Sequence, residues 1–147
     1  RYAESAARFR RLRDEGADSF QLHFYLGEAL AGLGRQREAE ASFSRSLAIM
    51  PAFTAAHVSL ANARIARKDL PGAIAALQQG QKDAPNEPLL FDREGQVWQT
   101  LGDATRAMAA FERVATLAPN DALVRWRMGE LLLSTGQPEA ALARFRE

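Results

Sequence analysis

The sequence predicts an all-α protein made of stacked antiparallel helical hairpins. Three recurrences predict it. Pro51, Pro85 and Pro119 stand 34 residues apart. Gly27, Gly95 and Gly129 keep the same step, with Ala61 in the second copy. Phe9, Phe43, Phe111 and Phe145 keep it too, with Leu77 in the gap. Between these markers the apolar residues fall at helical spacing, and a period of this size belongs to helical repeat arrays.

The register divides residues 1–147 into one repeat domain. Residues 1–19 read as the second helix of a unit cut short. Residues 20–53, 54–87 and 88–121 are complete units, and 122–147 is a fourth unit cut short. In the first full unit, Leu22, Leu26, Ala29, Leu30 and Leu33 mark a helix that Gly34 ends. Ala39, Phe43, Leu47 and Met50 mark a second helix, and Pro51 follows it because proline cannot continue the hydrogen-bond ladder.

The second unit departs from this plan. Arg67, Lys68 and Asp69 replace the glycine turn, Pro71 and Gly72 fall in the first turn of the next helix, and Gly80 sits inside it. A mid-helix glycine costs about 1 kcal/mol against alanine. This hairpin is expected to be the least stable interior one. In the third unit Leu90, Glu94, Val97, Trp98 and Leu101 share a stripe. Gly102 and Asp103 make the turn, with Asp103 placed to cap the next helix. Ala107, Phe111 and Val114 then form a packing face closed by Pro119. In the last unit Gly136 marks the turn, and Pro138 stands at a helix start, where a missing N–H costs nothing.

Small residues repeat beside the large ones. Ala39, Ala73, Ala107 and Ala141 are equivalent, with Ser5 before them. Small side chains let the two helices of a hairpin approach. The aromatic column, with Leu77, is then expected to fill the space between one hairpin and the next.

These motifs resemble the tetratricopeptide repeat family over essentially the whole chain. Leu26-Gly27, Ala39, Phe43 and Pro51 carry the resemblance, as do Gly95, Ala107, Phe111 and Pro119, and then Gly129, Ala141 and Phe145. The usual tryptophan site departs from the pattern and holds His23, His57, Phe91 and Arg125. Glu94 stands where a leucine is usual. The resemblance implies a right-handed α-solenoid. It also implies a non-enzymatic scaffold that binds a protein or peptide in a concave groove lined by the first helix of each repeat. On that groove the expected binding residues are Phe24, Glu28, Asn62, Asp92, Arg93, Gln96, Gln99, Trp126, Arg127 and Glu130. Asn62, Gln96 and Gln99 suit a peptide backbone, and Trp126 and Phe24 suit apolar side chains. Gln21, Val58, Ile65, Leu89 and Leu133 border them. Asn62, Arg93 and Arg127 also resemble part of the carboxylate clamp of the family's co-chaperones, although its lysines are missing and Asp92 would repel a carboxylate.

No catalytic grouping emerges. Gly32-Leu33-Gly34 is a helix end and not a dinucleotide loop. His23 and His57 occupy one site in adjacent hairpins and lack cysteine or convergent acids, so no metal and no cofactor is expected. With 19 basic and 18 acidic residues the formal charge is +1, which gives no general case for nucleic acid. Arg1, Arg8, Arg10, Arg11 and Arg13 crowd the first helix against Glu4, Asp14 and Glu15; they suit contact with an acidic partner or RNA, but ordinary solvation is the preferred reading. No apolar run reaches membrane-spanning length. The absence of cysteine leaves the redox compartment open. Cytoplasm and periplasm both fit, and the alanine- and arginine-rich composition fits a bacterial source.

Arg1 opens without an initiator methionine and Glu147 falls inside a repeat, so the chain reads as a segment of a longer protein. Both ends invite end-to-end self-association. The alternative to a binding scaffold is a structural, regulatory or oligomerisation segment of a larger bacterial enzyme, such as a transferase, or of an envelope assembly protein.

Overall fold

Helices start wherever the repeat restarts. The computed structural model describes residues 1–146. Its first-position helices are α2 (Phe20–Gly32), α4 (Thr54–Ala66), α6 (Pro88–Thr100) and α8 (Ala122–Ser134). Its second-position helices are α1 (Tyr2–Asp14), α3 (Gln36–Ile49), α5 (Leu70–Asp83), α7 (Ala104–Leu117) and α9 (Pro138–Arg146). Both sets keep the 34-residue step, and no strand occurs among the described residues. The chain is thus an all-α array of helical hairpins. It divides into a unit ending at Pro85 and a unit beginning at Asn86.

Many helix ends have a local cause. Gly34, Gly102 and Gly136 adopt positive φ of 75°, 78° and 77° directly after the first helices. The residue after each donates its N–H back to a carbonyl inside the helix. Arg35 bonds to Leu30, Asp103 to Trp98 and Gln137 to Leu132, at 2.9, 3.0 and 2.9 Å. This is the left-handed C-terminal cap that glycine favours. Carboxylates close the opposite ends. Asp69, Asp103 and Asp121 accept from the N–H groups of Gly72, Arg106 and Leu123, each at 2.9 Å.

The second hairpin builds the same cap without glycine. Lys68 takes φ 64°, and Asp69 N–H bonds to the Arg64 carbonyl at 2.9 Å. The turn that looks irregular in sequence is therefore regular in shape, with its cost carried by a Cβ in the left-handed region. Lys68→Gly should raise stability by about 0.5–1 kcal/mol, once strain relief is set against the extra freedom of an unfolded glycine. Urea denaturation of both chains checks this, and an unchanged midpoint would count against the strain.

Packing inside each hairpin rests on a ring over a glycine. A Cβ added at Gly27 would lie 2.5 Å from the Phe43 ring, and one at Gly95 would lie 2.5 Å from the Phe111 ring. Gly129 and Phe145 repeat the arrangement at 2.2 Å. These rings were expected between hairpins, but each first closes its own hairpin against the opposing glycine. The reason is steric. Only a bare Cα lets the ring lie flat on the first helix. In the second hairpin Ala61 and Leu77, both fully buried, replace the glycine and the ring together.

The first unit joins α1 to α2, the hairpin α2–α3 to α4, and α4 to α5. Its buried side chains include Leu26, Phe43, Leu60 and Leu77. In the second unit Phe111 extends beyond Gly95 into a cluster with Val114, Val124, Met128 and Leu131, which ties α7 to α8. Ala39, Ala73, Ala107 and Ala141 have no exposed surface, as close helix approach requires.

Two sequence departures find physical partners. Buried Glu94 accepts the Trp98 indole N–H at 3.1 Å, and the Arg106 guanidinium lies 4.6 Å from the centre of the Trp98 ring. Three of the four residues at the unusual tryptophan site reach the turn before their own helix. His23 Nε2 lies 2.7 Å from Asp18, His57 Nε2 lies 2.8 Å from the Pro51 carbonyl, and Arg125 donates to the Pro119 carbonyl. Both imidazoles are buried and serve these contacts.

Candidate functional site

The 34-residue step sorts the first helices into columns of side chains. Phe24, Val58, Asp92 and Trp126 form one column. Glu28, Asn62, Gln96 and Glu130 form a second, four residues on and so on the same helix face. Tyr25, Ser59, Arg93 and Arg127 form a third beside the first.

In the first unit, α2 and α4 lie side by side. Ser59 Oγ on α4 donates to Glu28 Oε1 on α2 at 2.7 Å. Glu28 and Asn62 are exposed. Phe24 is half-buried. Its ring stands 5.0 Å from Phe53, 5.4 Å from Tyr25 and 5.9 Å from Phe43, so most of its surface serves an aromatic cluster. Tyr25 is the more open ring, 53% exposed, and stacks on Phe9.

In the second unit the same columns form a connected polar chain. Arg127 Nε on α8 lies 3.3 Å from Asp92 Oδ1 on α6. Gln96 donates its amide to Asp92 Oδ2 at 2.6 Å, and Arg93 donates to Gln96 Oε1 at 2.9 Å. The Asp92 and Arg127 side chains are only 19% and 23% exposed, which strengthens their attraction relative to a pair in open water. Both arginines that resemble a carboxylate clamp are engaged within this unit. Trp126, in the column of Asp92, is 49% exposed. Gln99 and Glu130 are exposed as well, and so are Leu89, Leu123 and Leu133. An open indole beside a fixed polar chain offers apolar contact area together with oriented donors and acceptors.

The structure adds Tyr25 and Ser59 to the residues expected from sequence. They share the column of Arg93 and Arg127, and that register was the signal for them. The third column bridges neighbouring first helices, through Ser59 to Glu28 and through Arg127 to Asp92.

Charge elsewhere is arranged around turns. Asp18 is held below the usual carboxylate range by its bond from Arg45 and then by His23. Among the described residues no three of His, Cys, Asp and Glu converge as metal ligands. No described helix is long and apolar enough to cross a membrane.

Regular hairpins with a ladder of side chains on their first helices define a helical-repeat scaffold fold. A tetratricopeptide repeat family model matches residues 37–92 and 100–147, and a second matches residues 1–52. The chain belongs to the tetratricopeptide repeat family. Solved structures agree on the fold. A crystal structure of MamA shares 16% identity at TM-score 0.85, covering 99% of this chain and 85% of the other. MamA from Desulfovibrio magneticus shares 16% at TM-score 0.81, covering 99% and 82%. A thermophilic repeat protein of Thermus thermophilus shares 22% at TM-score 0.71, covering 98% and 79%. No curated protein matches the chain.

Proposed function

We propose that the chain binds a protein or peptide partner on the surface presented by its first helices. The half-open Trp126, in the column of Asp92, which anchors the Asp92–Gln96–Arg93 chain, and one residue from Arg127, carries this reading. Partly buried polar residues that bond one another keep their side chains in place, so a guest meets a surface already organised and loses less ordering entropy. Tryptophan and arginine are also the residues in which binding energy concentrates. In the second unit, Gln99 and Glu130 supply the rim. In the first, Glu28 and Asn62 supply polar contacts, and Phe24 adds an apolar edge.

The test is capture of partners by the chain, compared with Trp126→Ala and with Trp126→Ala/Arg127→Gln. The single variant spares the Asp92 pair, so it guards against loss through misfolding. Circular dichroism confirms helicity in each. Loss of the same partners in both variants, with helicity kept, is the expected result. Equal capture by all three chains would overturn the assignment of this surface.

A further inference from the structure

The opposite face of α2 points to a second surface, independent of the first. His23 precedes Glu28 by five residues, a rotation of about 140° around the helix. There, α1 and α3 form the walls of a cavity of about 280 Å³, with His23 on its α2 floor. Arg10 and Arg13 line the α1 wall, and Glu38 and Arg45 line the α3 wall.

The repeat supplies an internal comparison. One step along, α3 and α5 enclose an equivalent cavity of about 360 Å³ over His57 on α4. At the sites of Arg10, Arg13 and Arg45 it carries Ser44, Leu47 and Gln79. The furrow therefore forms without arginine at these three sites, its one arginine being Arg64 at the site of Leu30, so packing does not account for the three in the first one.

Charge pairing leaves the α1 arginines available. Arg35 holds Glu38 through two bonds of 2.5 and 2.7 Å, whereas Arg10 adds a single bond of 3.1 Å to the same carboxylate. Arg10 can turn away without stranding Glu38. Arg13 pairs with its neighbour Asp14 at 2.8 Å, with both side chains about half exposed or more, and such a pair is worth little. Arg45 on the far wall and His23 on the floor both contact Asp18, so that carboxylate is already matched. The facing groups thus sum to a surplus of positive charge on α1. Arg10 and Arg13 lie three residues apart, on one helix face.

We propose that the α1–α3 furrow binds an acidic segment of a partner protein, with Arg10 and Arg13 gripping its carboxylates. Guanidinium groups suit this role because they fork onto carboxylates through paired N–H bonds.

The test is a nuclear magnetic resonance titration of the isotope-labelled chain with hexaglutamate peptide at low ionic strength. Saturable shifts are expected at the amides of Arg10, Arg13 and Ser42, with their counterparts Ser44, Leu47 and Ala76 unmoved. Arg10→Gln/Arg13→Gln should weaken binding by about tenfold or more while keeping the spectrum of the folded chain. The natural Ser44 and Leu47 show that the furrow tolerates such replacements. Trp126→Ala should leave this binding unchanged. Equal shifts in both furrows, or undiminished binding by the double variant, would overturn the proposal. So would a response to inorganic phosphate or to a single-stranded oligonucleotide at these amides with none to hexaglutamate.

Discussion

Phe111→Ala should destabilise the chain by about 3–5 kcal/mol, through lost burial and the cavity left behind. The ring has no exposed surface and does two tasks. It lies on Gly95 within its own hairpin and joins Val124, Met128 and Leu131 of the next. Its loss therefore weakens a hairpin and the junction to its neighbour together, and in a repeat array neighbour junctions carry much of the stability. Phe43→Ala should fall in the same range, since its ring is equally buried over Gly27. Phe145, 43% exposed, should cost clearly less. Denaturant unfolding of the three variants checks both size and order. A Phe111 loss no greater than that of Phe145 would contradict the packing described.

Helix positions were readable because many boundaries are written locally. Gly34, Gly102 and Gly136 mark the left-handed caps, Asp103 caps the next helix, and proline follows the second helices. Lys68 hides the same cap, since a turn that glycine favours can also be formed at some cost by a residue with a side chain. The acceptance of Glu94 in a leucine site was not legible. It depends on the Trp98 N–H one turn away, whose orientation is set by packing. The candidate surface was legible as columns, because a fixed period places equivalent residues on equivalent faces. Phe24 illustrates the limit. Its column marks the candidate surface, but Phe53 and Tyr25 draw the ring into an aromatic cluster. The links from Ser59 to Glu28 and from Arg127 to Asp92 join different helices, so no single-helix pattern announces them. In sequence the arginines of α1 read mainly as a solvated face, with an acidic partner or RNA as the alternative. Only the fold sets Arg10 and Arg13 opposite α3 and over α2.

The second large effect concerns a methyl group. Gly95→Ala should destabilise by about 1–3 kcal/mol, because the added carbon would meet the buried Phe111 ring at 2.5 Å and the core must shift to admit it. Helix propensity alone forecasts the opposite sign, a gain of about 1 kcal/mol for alanine over glycine. The second hairpin shows how the conflict is resolved. There alanine and a smaller partner occur together, as Ala61 with Leu77. The two columns are thus coupled, and neither substitution alone reproduces the natural alternative. Transplanting both into the third repeat as Gly95→Ala/Phe111→Leu should destabilise less than the two single changes added together. The expected coupling is about 1 kcal/mol or more, within the range for residues in contact. A double-mutant cycle by urea denaturation measures it. Strict additivity would mean that the ring and the glycine do not compete for one space, and the reason for glycine in this column would have to be sought elsewhere.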